Sequence, residues 1–230
     1  MFLECQNINF RYPNGSLDVF HGLSFKMKTP GFHALFGPSG VGKTSLARII
    51  VGDINDYAGV VRSEGMQNLL YSYNLERLPD WSSVGKHLEK ITPPSLVDRK
   101  NELIASFDMV QTMGNRFSQL SLGQQNRVNL IRYLLQDFHL LIMDESLANV
   151  DERTREKIIL RIKDMFPDTY FLYISHNVIE VSKFCKEILV FRNSQKSPQV
   201  VTISGQDHKL GQPVAKDHLE QTMLEIMHAS

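Results

Sequence analysis

The chain has 230 residues, of which 42% are apolar, a size and composition that suit one large α/β domain or a domain carrying a subdomain. Lysine plus arginine and aspartate plus glutamate both number 25, so the formal charge is zero and electrostatic attraction to nucleic acid or anionic membrane is excluded as a main theme. Cys5 and Cys185 lie far apart with no metal spacing and read as free thiols of a reducing cytosol; with no run of 18 apolar residues and no signal-peptide character in Met1-Phe2-Leu3-Glu4-Cys5, a soluble cytoplasmic protein is expected, any membrane role coming through a partner.

In chain order, Leu3 to Phe10 and Leu23 to Met27 alternate apolar and polar residues, predicting antiparallel strands separated by the turn signal Pro13-Asn14-Gly15. Phe32 to Phe36 predicts a buried strand and Thr44 to Val51 a helix ending near Gly52. Val60-Val61-Arg62 and Leu69-Leu70-Tyr71 predict short strands. Residues 75–138 predict a helical subdomain inserted in the single domain 1–230, with helices over 84–91, 96–110 and 122–135, the first two parted by Pro93-Pro94. Leu140 to Met143 and Tyr170 to Ile174 are apolar strands flanking an amphipathic helix over 152–166, the pattern of a parallel sheet buried on both faces. Strands over 188–191 and 200–203, a loop over 193–199 and a C-terminal helix marked by Leu219, Met223, Ile226 and Met227 complete the expectation. The fold class is α/β: a core with a mostly parallel sheet, an N-terminal antiparallel β subdomain and an inserted α-helical subdomain.

Three stretches carry chemistry. Gly37-Pro38-Ser39-Gly40-Val41-Gly42-Lys43-Thr44 fits G-x-x-x-x-G-K-[ST] between a strand and a helix, the setting in which backbone N–H groups and a helix N-terminus cradle a nucleoside triphosphate. A ligand-free glycine-rich turn is the bland alternative. Lys43 is expected to reach the β/γ oxygens, Thr44 to ligate Mg²⁺, and Ser45 to adjoin the phosphates. Asp144 and Glu145 end an apolar strand, which suits Asp144 to hold Mg²⁺ and Glu145 to take a proton from the attacking water; an ordinary polar turn after a strand is the competing reading. His176 follows the next apolar strand, where a neutral imidazole suits a γ-phosphate oxygen or the water, although a lone histidine is more often a plain surface residue. Leu120-Ser121-Leu122-Gly123-Gln124 precedes a helix that Ser121 can cap.

Together these stretches resemble the ATP-binding cassette (ABC) ATPases over nearly the whole chain; Leu78-Pro79-Asp80-Trp81 and the segment from Phe191 to Ile203 resemble the nitrate, sulfonate, taurine and thiamine-precursor import group. Gly37 to Thr44 resembles Walker A, Leu140 to Glu145 resembles Walker B with its catalytic glutamate, and 120–124 resembles the LSGGQ signature. Ala148 to Asp151 is similar to the D-loop, His176 to the switch histidine, and Tyr12 after Asn9-Phe10-Arg11 to the aromatic that stacks on adenine. About 75 residues separate Thr44 from Leu120, 24 separate Leu120 from Asp144, and 32 separate Asp144 from His176, in the family's order. Leu122 replaces a usual glycine, Ser146 a usual proline, and Asn74 stands for the Q-loop glutamine with one methylene less reach, toward Mg²⁺ or the attacking water.

The resemblance implies ATP and Mg²⁺ as cofactors and a head-to-tail homodimer, in which Ser121, Gly123 and Gln124 contact nucleotide held by the second subunit and Asp151 links the two sites. It implies an ATP-hydrolysing subunit of a bacterial importer, peripheral on the inner face of the membrane through a transmembrane permease, with a solute-binding protein indirectly involved and no nucleic acid. A regulatory or mechanical module on a membrane partner is the alternative. Chromosome-maintenance cassettes need hundreds of coiled-coil residues between Walker A and the signature, a guanine-reading N-K-x-D is absent, and a P-loop kinase has no use for a signature or for Glu145.

Overall fold

Strands β1 (Phe2–Phe10) and β2 (Phe20–Met27) pair antiparallel, with Leu3 opposite Met27 and Cys5 opposite Phe25. Alternation places Leu3 and Cys5 on the buried face, and the register shift between Cys5 and Ile8, with Asn7 at φ 50°, returns Ile8 to it. Strand β4 (Ala58–Glu64) takes the other edge of β1, giving the order β2-β1-β4. The computed structural model describes residues 1–230 apart from Asn14, Ser16, Pro79, Ser194 and Gln195. Asn14 of the expected turn, Pro79, and Ser194 with Gln195 of the expected 193–199 loop therefore lie outside the described residues.

A second sheet has the order β5-β6-β7-β3-β8-β9, formed by β3 (Gly31–Phe36), β5 (Leu69–Tyr73), β6 (Leu140–Asp144), β7 (Tyr170–Ile174), β8 (Glu187–Phe191) and β9 (Val200–Ser204). The β6-β7-β3-β8 run is parallel, and β9 closes the edge antiparallel to β8. Every residue of β6 and β7 is buried, as near-continuous apolar runs in a parallel sheet require. The consequence for function is geometric: Phe36, Asp144 and Ile174 end neighbouring parallel strands, so the segments that follow leave the sheet at one edge.

The chain separates into two compact units. The first comprises Met1–Tyr71, Phe138–Asp144 and Phe166–Ser230, and the second Ser72–Asp137 with Glu145–Met165. In the first, one core joins Leu3, Ile8 and Phe20 of the antiparallel sheet to Leu46 of helix α1 (Lys43–Ile50) and Ile142 of the parallel sheet. At about 1.5–3 kcal/mol for each fully buried large apolar side chain, this burial is the main favourable term in that unit. Helices α6 (Val178–Phe184) and α7 (Lys216–Ala229) pack on one another and on β3 and β9.

The second unit is helical: α2 (Val84–Ile91), α3 (Val97–Ser106), α4 (Leu122–Leu134) and α5 (Glu152–Met165). Ser83 caps α2 and Ser121 caps α4 by accepting the N–H of Lys86 and Gln124, and Gln124 returns the favour through its side chain to the N–H of Ser121. Helix α3 is shorter than the expected 96–110. Asp108 adopts a left-handed φ of 54°, its N–H reaches the Ala105 carbonyl and that of Met109 the Ile104 carbonyl, a Schellman stop that apolar spacing cannot register. Ion pairs Arg161–Glu102 and Lys157–Asp108 tie α5 to α3 and its end. Among the described residues no helix is long and apolar enough to cross a membrane.

Candidate functional site

The 37–44 loop connects β3 to α1 and has the backbone its glycines imply. Gly42 sits at φ 105°, where a Cβ would also fall 2.6 Å from Val19 and Phe20 side-chain atoms; Gly37, at φ 151°, lies so close to β8 that a Cβ would meet the Phe191 carbonyl at 2.9 Å. Helix α1 begins at Lys43 with no side-chain cap, so its first N–H groups are not taken by a capping side chain. Lys43 Nζ donates to the carbonyls of Gly37 and Pro38, both at 2.8 Å. The ammonium is thereby folded back over the loop that would hold phosphate. Pro38, Ser39, Gly40 and Val41 form the turn itself, and a cleft of about 360 Å³ is lined by Ser39, Gly40, Val41, Asp18 and Val19.

Next to the loop, Thr44 Oγ1 donates to Asp144 Oδ2 at 2.6 Å, and the Tyr71 hydroxyl donates to the same oxygen at 2.9 Å. Asp144 is only 8% exposed. Burial, and then the neighbouring Asp144 carboxylate, push the Tyr71 phenol above its usual range, so it stays a protonated donor at neutral pH. Hydroxyl and carboxylate oxygens brought together in this way are the hard donors that Mg²⁺ selects, and Thr44 and Asp144 fit that ion. Ser45 is buried, and its hydroxyl lies 2.9 Å from that of Tyr12, whose ring meets Phe10 edge-on at 4.8 Å.

His176 is exposed after β7, on a segment held by a buried carboxylate. Glu180 accepts from Tyr173, Ser175 and Asn177 at 3.0, 3.4 and 3.2 Å, and Asn177 Oδ1 caps α6 by accepting the N–H groups of Ile179 and Glu180. Each polar group here is satisfied, which is the condition for carrying a carboxylate at 5% exposure.

The remaining residues belong to the second unit. Glu145 is exposed with φ 50°, and its carbonyl accepts the Ala148 N–H at 2.8 Å. Ser146 donates to the Ser72 carbonyl at 2.9 Å, a bond that a proline there would not make. Asn74 Oδ1 accepts from Asn126 Nδ2 at 2.9 Å. Ser121 and Gln124 are engaged in the α4 capping box, and Gly123 is buried where a Cβ would meet the Asn149 carbonyl at 2.3 Å. Asp151 accepts the Thr154 N–H at 3.0 Å, which holds its carboxyl below the usual range and caps the start of α5. Leu122, half exposed at 49%, points out of the helix start.

The chain that carries the loop, the Thr44–Asp144 contact and the capped 120–124 segment is similar to known proteins. The family model described as ABC transporter matches residues 20–148, more than half of the chain. This chain belongs to the ABC transporter family. It is 29% identical to the taurine import ATP-binding protein TauB of Jannaschia sp. (strain CCS1), covering 82% of this chain and 76% of that one. It is 26% identical to the spermidine/putrescine import ATP-binding protein PotA of Fusobacterium nucleatum, over 87% of this chain and 58% of that one. Similarity at 25% identity extends to the PotA of Hahella chejuensis, over 77% of this chain and 53% of that one, so the chain spans little more than half the length of these two relatives. Among solved structures, a bacterial Atm1-family ABC exporter with ATP bound superposes with a TM-score of 0.74 at 18% identity, covering 99% of this chain and 41% of that one, a likeness of fold.

Within this ABC fold, three participants escape sequence reading. Tyr71 meets Asp144 across 73 positions, and Asn126 meets Asn74 across 52, distances at which no local pattern signals contact. Glu180, in the first turn of α6, did leave a trace, since Asn177-x-x-Glu180 has capping-box spacing.

Proposed function

We propose that this ABC protein is the ATP-hydrolysing subunit of a membrane importer. The observation that carries the reading is the assembled pair: Lys43 over the Gly37 and Pro38 carbonyls, and Thr44 on Asp144 at the end of β6. A triphosphate entering the loop would replace carbonyls as the partner of Lys43, a gain because charge-assisted bonds to phosphate are stronger. The N–H groups of 39–45 add to this cradle. Mg²⁺, which Thr44 and Asp144 would hold, neutralises developing phosphate charge. Glu145 accepts a proton from the attacking water, His176 orients that water or the γ-phosphate, and Tyr12 stacks on the base.

The import assignment is supported by the names of the relatives, which are import ATP-binding proteins for taurine and for spermidine or putrescine. A taurine-type importer is the subgroup we favour, on the higher identity and the larger share of that relative's own length that is matched. A permease contact is supported by the second unit, where Leu75, Leu78, Phe117 and Leu122 line a cavity of about 470 Å³ and Trp81 stands 80% exposed. The working form we infer is a nucleotide-dependent head-to-tail homodimer on the inner face of the membrane, each ATP contacted by Ser121, Gly123 and Gln124 of the opposite subunit and Asp151 linking the sites.

The test uses the purified chain and Glu145→Gln. With MgATP, the wild type is expected to release phosphate and the variant to retain ATP and elute at twice the monomer mass. Pull-down from native membranes is expected to recover a multi-spanning permease. A wild type that releases no phosphate, with a variant that neither retains ATP nor pairs in its presence, overturns the ATPase reading; ATPase activity without a recovered permease overturns transport.

A further inference from the structure

Helix α4 carries two asparagines on its buried side, Asn126 at 3% and Asn129 at 2% exposure. A buried carboxamide is costly unless satisfied, and its shape can then fix the groups that satisfy it. Asn129 Nδ2 donates to one acceptor, the Glu76 carbonyl, at 2.7 Å. Asn126 does more. Its Nδ2 donates to the Ala148 carbonyl at 2.7 Å and to Asn74 Oδ1 at 2.9 Å. One NH₂ group has two hydrogens, so each is committed to a different loop.

The orientation of both amides follows from elementary chemistry. A backbone carbonyl only accepts, so the nitrogen of Asn126 must face Ala148. Asn74 must then turn its oxygen toward that same nitrogen. Its own NH₂ is directed away, and what Asn74 presents outward is a donor suited to a phosphate or water oxygen. That oxygen already accepts one hydrogen bond, which leaves a single lone pair for any cation.

We propose that Asn126 is a positioning residue for ATP hydrolysis. It clasps the Asn74 side chain and the loop after Glu145 to one point of α4, so that the two loops shift together and Asn74 acts as a donor. The surrounding bonds serve the same junction: Ser146 reaches the Ser72 carbonyl, and Arg132 pairs with Glu76. Asn126 is buried at 3% exposure. It acts through the groups it holds, and the proposal rests on the ATPase reading above.

The experiment compares Asn126→Asp, Asn74→Ala and, as a control with a single tie, Asn129→Asp in the full chain. Amide hydrogen exchange is followed in peptides covering 73–77 and 146–150, alongside steady-state ATP hydrolysis. Asn126→Asp keeps the side-chain shape and removes both donors. It is expected to speed exchange in both peptides and lower kcat about tenfold, with KM for ATP within about twofold, as expected when aligned groups are loosened and binding is not. Asn74→Ala, at a partly exposed position that folding tolerates even if the first variant does not, is expected to speed exchange in 146–150, a segment it does not adjoin in sequence. Asn129→Asp is expected to move only 73–77 and to leave kcat within about twofold. Unchanged exchange in 146–150 for Asn74→Ala, or the same kcat for Asn126→Asp as for Asn129→Asp, overturns the clasp. A wild type without ATPase activity overturns the reading beneath it, while the exchange arm still decides whether the two loops are joined.

Discussion

The two compact units are stabilised in opposite ways. The first is built on an apolar core, with its polar chemistry gathered at Lys43 and Thr44 opening α1, Tyr71 in β5 and Asp144 ending β6. The second has buried leucines in its helices, but its loops are fastened by side chains: Asn126 to Asn74 and Ala148, Asn129 to Glu76, Arg127 to the Phe107 carbonyl, and Asp80 to Ser118. Close packing resists small displacements, since any shift opens voids or overlaps. Hydrogen bonds through side chains can be exchanged one at a time for bonds to a ligand or water. The difference teaches where exchange is easiest: at Lys43 in the first unit, and at the side-chain ties of the loops in the second.

Substitutions can break or sharpen this contrast. The largest effect is expected for Glu145→Gln, in the second unit, where loss of the base lowers phosphate release about 10²–10⁴-fold while nucleotide binding is retained; rapid-quench turnover with a filter-binding control measures both. Lys43→Ala, in the first unit, should act on binding itself. Hydrogen bonds to a charged group are worth about 1.5–3 kcal/mol, so ATP affinity by calorimetry should fall roughly 10- to 100-fold. An unchanged affinity would show that the backbone cradle alone suffices. Gly123→Ala sets a new methyl against the Asn149 carbonyl at 2.3 Å, and overpacking of this kind costs about 1–3 kcal/mol. A fall in Tm of several degrees is expected by calorimetry, and a neutral result would mean that the 148–150 loop yields freely. Smallest is Tyr12→Phe, which removes the hydroxyl contact to Ser45 and is expected to cost about 0.5–1.5 kcal/mol in chemical denaturation, leaving ring stacking intact.

Much of the first unit was legible because its elements announce themselves locally. The strand, glycine loop and helix over 31–50 are fixed by consecutive residues, and the apolar runs at 140–144 and 170–174 admit little but buried strands. Less was legible where a single residue overrules periodicity. Asp108 ends α3 four residues early by adopting a left-handed backbone, and α6 escaped because its seven residues are too few for a periodic signal. At the site, residue types marked the glycine loop, the acidic strand end and the histidine as candidates. They did not reveal that Tyr71 shares an oxygen of Asp144 with Thr44, or that Asn74 is turned by Asn126. Such contacts join residues far apart in the chain and are decided by packing alone.

Trp81 offers a last consequence. It is the sole tryptophan of the chain, and its indole stands 80% exposed in the second unit. Native emission therefore comes from one site immersed in solvent, and its colour reports that immersion directly. Any protein surface that settles over this ring will shift the spectrum toward the blue without a dye, a tag or an engineered label, and the unmodified polypeptide thus carries its own optical gauge of docking.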